Sequence, residues 1–313
     1  MFVAAASAAP ITITQGGWYV GSYSSDDPNV PAVTVLTQEP VYIYHSTITS
    51  PGIGILAGAM ANVGVYFCYG IAPAQGTGQF FCGSNIAHLQ VSNCYISGWK
   101  YGVYVNNPVG SPYTGASISV FYNQVHNCTY FTQLVHVIGV AGEVAWNEDV
   151  TDVPCSDQIN MYGTSGSTPY IIHDNFIVGP TGTSTQAAIL TDGYPGLYIS
   201  KNIQINNNII IGASFNAIAL AYSQNSSASG NTVLSSSATW YGMQAYECDA
   251  TNVISNNFVG FGHNNLDYLS QSWGTYINNQ SFPGSVTMSD ECDLWAAWQL
   301  KVIQANVTIG PNY

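Results

Sequence analysis

The chain is 313 residues long, 47% hydrophobic and only 6% charged, with three lysines or arginines in all and a formal net charge of −13. Ordinary soluble domains carry about 25% charged residues, and a chain with so few cations cannot neutralise a row of phosphates, which argues against nucleic acid as a partner. No apolar run reaches the roughly 18 residues of a membrane helix, so no transmembrane segment is expected.

Asn, Ser, Thr, Gly and Tyr stand in for the missing charge. The 22 tyrosines and 7 tryptophans suit a surface that meets sugars or other copies of itself. The seven cysteines form no C-x-x-C pair, which makes a zinc site improbable. Buried thiols packed as small apolar groups are the simplest reading, and a Cys68–Cys82 disulfide is the alternative.

Taken in order, residues 1–10 carry small side chains like a signal-peptide cleavage region. They lack a basic start and a long enough apolar centre. They read equally as an arm or as the stump of a longer segment. Ile11–Thr14, Trp18–Ser22 and Ala32–Leu36 are predicted strands, with Pro28 and Pro31 marking loops.

From Val41 a repeat begins. Its clearest copy is Asn202–Gly212, NIQINNNIIIG, which reads as a strand, a polar corner and a second strand. Aligned corners fall at Ser46, Cys68, Asn93, Asn123, Asn147, Asn175, Asn208, Asn231, Asn257 and Asn279, spaced 22 to 33 residues apart. A period in the twenties with loop-sized insertions is that of solenoid coils. A second recurring strand places Val103, Leu134, Ile159, Ile189, Ile218 and Met243 at equivalent positions, and stacking would align them into one apolar column. The corner asparagines would stack likewise, each amide donating to one neighbour and accepting from the other.

At the end the period of two is lost. Ser289 is a plausible N-cap and Asp290 and Glu291 suit a first helical turn, while Leu294, Trp295, Trp298 and Val302 fall near helical spacing. An amphipathic helix with its tryptophans over the open end of the solenoid is expected, because an uncovered end would expose strand edges.

The repeated Asn corners, together with Cys155–Asn175 (CSDQINMYGTSGSTPYIIHDN), resemble the pectate-lyase-like right-handed parallel β-helix superfamily. They look nearest to its secreted and phage-borne repeat proteins, which often carry a D-x-I-N-x-Y-x-x-x-G-T-like stretch. The resemblance covers roughly residues 40–285. It implies an all-β, right-handed parallel β-helix of about ten coils with a C-terminal capping α-helix. Residues 1–39 would then be an N-terminal arm and entry strands, 40–285 the β-helix, and 286–313 the capping helix and tail. It implies no single activity, since the fold serves lyases, hydrolases, epimerases, tailspikes, adhesins and shafts.

The densest acidic cluster is Glu148, Asp149, Asp152 and Asp157. With Asp192 it supplies the candidate catalytic carboxylates: Asp149, Asp152, Asp157 and Asp192. Two of them about 5–10 Å apart could work as acid and base on a glycosidic bond. Their oxygens would also suit Ca2+; otherwise no cofactor and no other metal is expected. The competing reading is a solvated loop between coils. Asp192 points outward by alternation, in register with Tyr162 one coil before and Tyr246 two coils after. With Asn160 and Gln244 these form the candidate ligand-binding set, against the plain reading of Asp192 as an Asp-Gly turn. Asp174 resembles an ordinary corner residue. His136 has inward parity and reads as a satisfied core histidine.

The basic residues that lyases and polygalacturonase-like hydrolases of this superfamily use are missing, and a net charge of −13 would repel a polyanionic substrate. Four N-x-S/T sequons occur, at Asn127, Asn225, Asn279 and Asn306. The sequence therefore points first to an extracellular, cell-surface or virion binding or structural protein that meets carbohydrate or self-associates, a homo-oligomer being one form of this. The alternative is a glycan-active enzyme acting on a neutral polysaccharide.

Overall fold

The computed structural model describes residues 2–5, 9–58, 60–111, 114–153, 155–179, 187–194, 198–212, 216–236, 241–261, 269–272 and 274–311. Every strand pairing of the solenoid is parallel. One side is an 11-stranded sheet; the others merge into a 23-stranded sheet, joined because Gly17–Ser24 pairs with both Pro40–Tyr44 and Thr47–Thr49. A representative coil runs Thr77–Gly83 in the 11-stranded sheet, then His88–Ser92, a two-residue corner, and Tyr95–Ser97. The stacking begins early: Phe2–Ala5 pairs with Trp18–Gly21, and Ile11–Ile13 pairs with Val33–Val35. The chain is thus a parallel β-helix.

Alternation of side chains decides the interior. One core cluster runs from Ile13 to Val259 and fills the coils with Val, Ile, Leu, Phe and Met. Each such side chain contributes roughly 1.5–3 kcal/mol on burial. The expected column exists with one substitution. In register it runs Ile11, Val33, Ile55, Phe81, Val103, Thr132, Ile159, Ile189, Ile218 and Met243. Leu134 belongs to the adjacent inward column, between Val105 and Met161. Thr132 takes the place expected for it, fully buried, with its hydroxyl unpaired among the described residues. Where the interior is tight, a residue shrinks: a Cβ on Gly70 would lie 2.3 Å from the Phe80 ring.

The corner is a left-handed residue followed by a ladder residue. Asn123, Asn147, Asn175, Asn208, Asn231, Asn257 and Asn279 form the ladder. Each rung's Nδ2 donates to the Oδ1 of the next coil at 2.9–3.0 Å, and that same Oδ1 accepts the rung's backbone N–H. Nδ2 also donates backward, as from Asn123 to Val91 O and from Asn208 to Ile172 O. Buried amides are thereby satisfied along the whole file. Before Asn123 the rungs are Ser46, Cys68 and Cys94. Asn93, aligned with the ladder by sequence, is instead the left-handed residue of its corner, at φ 54°. Its Nδ2 donates to Thr308 O.

The C-terminal helix spans Met288–Ala305. Its N-cap is Thr287 rather than Ser289: Thr287 and Asp290 form a reciprocal capping box. The helix does not close an end. It lies along the flank, with Trp298 and Val302 buried against Phe176 and Ile211. Glu291 accepts from Ser236 N, Trp298 Nε1 donates to Asp174 O, and Lys301 pairs with Asp174. The tail continues to Tyr122, whose carbonyl accepts from Gly310 N. The physical reason is apolar surface: the outward side chains of Phe176–Val178 and Ile209–Ile211 need cover, and the helix packs on them.

Candidate functional site

The chain leaves the 11-stranded sheet through a second bend. His136, Gly163, Tyr222 and Glu247 occupy it with φ between 44° and 54°, in the left-handed region that few residues adopt. Just before this bend, Tyr162 stands opposite Asp192. Thr191 faces Leu220 and Ala221 faces Tyr246, which puts Asp192, Ala221 and Tyr246 on successive coils. The register expected for Tyr162, Asp192 and Tyr246 is therefore present.

Around them further groups gather. The His136 ring lies 4.5 Å from that of Tyr198 and edge-on to Tyr162 at 5.4 Å. His136 is half-buried at the bend rather than in the core, and its Nε2 is unpaired among the described residues. The parity that suggested a satisfied core residue ends at Leu134, where the strand turns. Gly163 lets the rings close: a Cβ there would lie 2.9 Å from Tyr198 Cβ and 3.0 Å from His136 Cδ2, at φ +54°. Tyr194 and Tyr198 form an antiparallel bridge, with Tyr194 exposed.

One step along, the Tyr222 and Tyr246 rings meet edge-on at 5.9 Å. Tyr246 Oη donates to Glu247 Oε1 at 2.6 Å. Hydrogen bonding to Glu247 pushes the Tyr222 phenol up to about 12, and the Tyr246 hydroxyl, with that of Tyr222, holds the Glu247 carboxyl below its usual value. Beside them is a cavity of about 300 Å3 lined by Ile199, Tyr222, Ser223, Gln224, Glu247, Cys248 and Asp249.

The four candidate catalytic carboxylates are dispersed. Asp149 points into the core between Val125 and Ile177 and is fully buried, with Oδ2 unpaired among the described residues. Burial holds its carboxyl well above the usual value, so the solvated-loop reading fails for this residue. Asp152 follows on a loop, its N–H donating to Asn127 Oδ1. Asp157 is buried, accepting from Asn160 Nδ2 at 2.9 Å and from Ala187 N at 3.0 Å. Burial raises it to about 6, with the Asp192 charge adding to the rise. Burial also raises Asp192, against the Gly193 N–H that it accepts at 2.7 Å. Asp192 is thus near enough for its charge to act on Asp157, whereas Asp149 lies inside the core and Asp152 on a loop. Of the candidate binding residues, Tyr162 and Tyr246 are half-buried, whereas Asn160 and Gln244 are buried. Among the described residues, no group of three or more His, Cys, Asp or Glu could hold a metal ion, and no described helix is long and apolar enough to cross a membrane.

The sequence points to none of Tyr194, Tyr198, Tyr222 and Glu247, and it places His136 in the core. A signal existed for the bend residues. Each lies two positions after an inward residue of one column: Leu134, Met161, Thr191, Leu220 and Ala245 precede His136, Gly163, Gly193, Tyr222 and Glu247.

No protein-family model and no curated protein matches this chain. Among solved structures it is similar to tailspike protein 3 of bacteriophage CBA120, at 10% identity and a TM-score of 0.44 over 91% of this chain. The match spans 56% of that tailspike chain. It is also similar to the PL6 family polysaccharide lyase Pedsa3628 from Pseudopedobacter saltans, at 10% identity and a TM-score of 0.40, covering 93% of this chain and 94% of the lyase.

Proposed function

We propose that this protein is an extracellular or virion-borne β-helix that binds a neutral glycan along the strip at its second bend. The observation that carries the reading is the strip itself: His136, Tyr162, Asp192, Tyr222, Tyr246 and Glu247 come from successive coils, and Tyr222 and Glu247 line a cavity with no basic residue among its described lining. Phenol rings meet the C–H faces of sugars, and their hydroxyls and the carboxylates exchange hydrogen bonds with sugar hydroxyls. The chain's net charge of −13 disfavours anionic glycans. Titrating the protein with neutral oligosaccharides tests this. Tyr222→Ala and Tyr246→Ala together should weaken binding about tenfold or more, the scale of losing ring contacts at a binding hot spot. Equal affinity in the variant and the native chain overturns the reading.

A second reading, glycan cleavage, has one observation of its own. Asp157 and Asp192 both have raised carboxyls, and the Asp192 charge adds to the rise of Asp157, the kind of pairing acid–base catalysis uses. Product analysis with Asp157→Asn/Asp192→Asn separates the two: turnover lost in this variant supports cleavage, and absence of turnover in the native chain leaves binding alone.

A further inference from the structure

We infer that Cys68 and Cys94 are the site of a disulfide joining two successive coils through the corner ladder. They are neighbouring rungs. Tyr66 stands opposite Ser92 on one side of the corner and Tyr69 opposite Tyr95 on the other, and Tyr95 N donates to Cys68 O at 2.9 Å. In-register parallel neighbours lie about 4.8 Å apart, inside the roughly 4.4–6.8 Å between Cα atoms that a disulfide spans. Both side chains are fully buried and enter the same column. As thiols they serve as weak substitutes for the ladder amides. Cys68 Sγ donates to Tyr66 O at 3.3 Å and approaches Ile43 O at 3.6 Å; Cys94 Sγ does the same with Ser92 O at 3.3 Å and Val65 O at 3.6 Å. Burial holds the Cys94 thiol far above its usual value, and the neighbouring Cys68 adds to the rise.

A thiol so protected is not a thiolate in the folded chain, so the bond belongs to folding, while the corner is still open to water. The oxidant is a small-molecule or protein disulfide of an oxidising compartment. The Cys94 thiolate attacks it, forming a mixed disulfide and releasing one thiolate. The Cys68 thiolate then attacks the Cys94 sulfur, closing the intrachain bond and releasing the second. The cysteines give up two electrons and two protons, and the partner disulfide becomes two thiols. The coil then closes around the bond, which is shielded from reductant. The other cysteines lack this arrangement: Cys82, for one, stands on the outer face of the 11-stranded sheet between Leu56 and Tyr104, away from Cys68. That placement overturns the Cys68–Cys82 pairing suggested by the sequence.

This inference is independent of the glycan reading. The test is peptide mapping of the full chain produced in an oxidising compartment, denatured in an alkylating reagent and digested without reductant. The expected result is a linked peptide pair joining Cys68 to Cys94 and a whole-protein mass about 2 Da below the fully reduced value, two thiol hydrogens having been lost. Oxidised protein should also melt at a higher temperature than the reduced sample, and Cys68→Ser should erase that difference. Alkylated Cys68 and Cys94 in the native chain, or a link from either to another cysteine, overturns the inference whether or not the serine variant folds.

Discussion

The short strands after the first corner face different surroundings in the two halves of the solenoid. In the early coils they point Tyr69 and Ile71, Tyr95 and Ser97, and Gln124 and His126 outward, and the Tyr69, Tyr95 and His126 rings follow one another at 6.0 and 5.4 Å. In the later coils the same positions hold Phe176 and Val178, then Ile209 and Ile211, and the C-terminal helix lies over them. The inward residue is branched and apolar at steps of both halves, Ile96 and Val125 early and Ile177 and Ile210 late, with Gly70 and Asp149 as the exceptions. The larger contrast between the halves lies on the outer side, in whether the helix covers it. The ladder divides similarly, into Ser46, Cys68 and Cys94 early and seven asparagines late.

The largest effect should come from uncovering the later half. Trp298→Ala removes a fully buried indole that packs on Phe176 at 5.3 Å and donates to Asp174 O. A loss of about 4 kcal/mol in denaturant unfolding is expected, whereas Tyr95→Ala on the early face, beyond the helix, should cost under about 1 kcal/mol. Equal costs would erase the distinction between the halves.

Next comes the ladder. Asn208→Ala strips the acceptor from Asn175 N and Nδ2 and the donors to Ile172 O and Asn231 Oδ1. About 3 kcal/mol should be lost, since several buried polar groups lose partners together. Cys94→Ala in reduced protein should cost only about 1 kcal/mol, a thiol being a weak donor. A reversed order in the two unfolding midpoints would show that the early rungs bear the greater share.

The smallest effect sits at the seam. Asp149 interrupts the inward column between Val125 and Ile177. Burial raises its folded-state value above the unfolded one, so the folded chain holds its proton more tightly. That contribution is complete below the unfolded value and is lost as pH rises through the folded one. Asp149→Asn should therefore flatten the fall of stability with rising pH and leave the variant the more stable at neutral pH. Melting curves across pH would reveal a parallel decline in both proteins if another group were responsible.

Much of this organisation was legible in the sequence, and the misses have physical causes. Alternating Ile and Val with Asn corners pointed to the parallel coils, because period two and a ladder of amides leave few other folds. By sequence Asn93 aligns with the rungs because Asn suits two adjacent positions: the ladder site, where its amide bonds, and the left-handed site, which it tolerates better than most residues. Asn207, Asn256 and Asn278 occupy that second site too. By sequence Leu134 aligns with the column two residues away from its true member, because that member, Thr132, is not apolar. The helix's position could have been read from Ile209–Ile211: three apolar residues in a row need cover on both faces of a strand. The strip at the second bend was harder, since its members share only a place after the strand and not a residue type.

From Asn123 on, the amide-to-amide bonds all run one way, each side chain handing one hydrogen to the next coil's amide as far as Asn279. A file with such polarity is indifferent to its length but not to a gap. Duplicating a whole turn inserts a giver and a taker at once, so such a chain can lengthen or shorten by complete turns more readily than it can exchange a single rung. Growth by copying thus conflicts less with the molecule's physics than piecemeal substitution does.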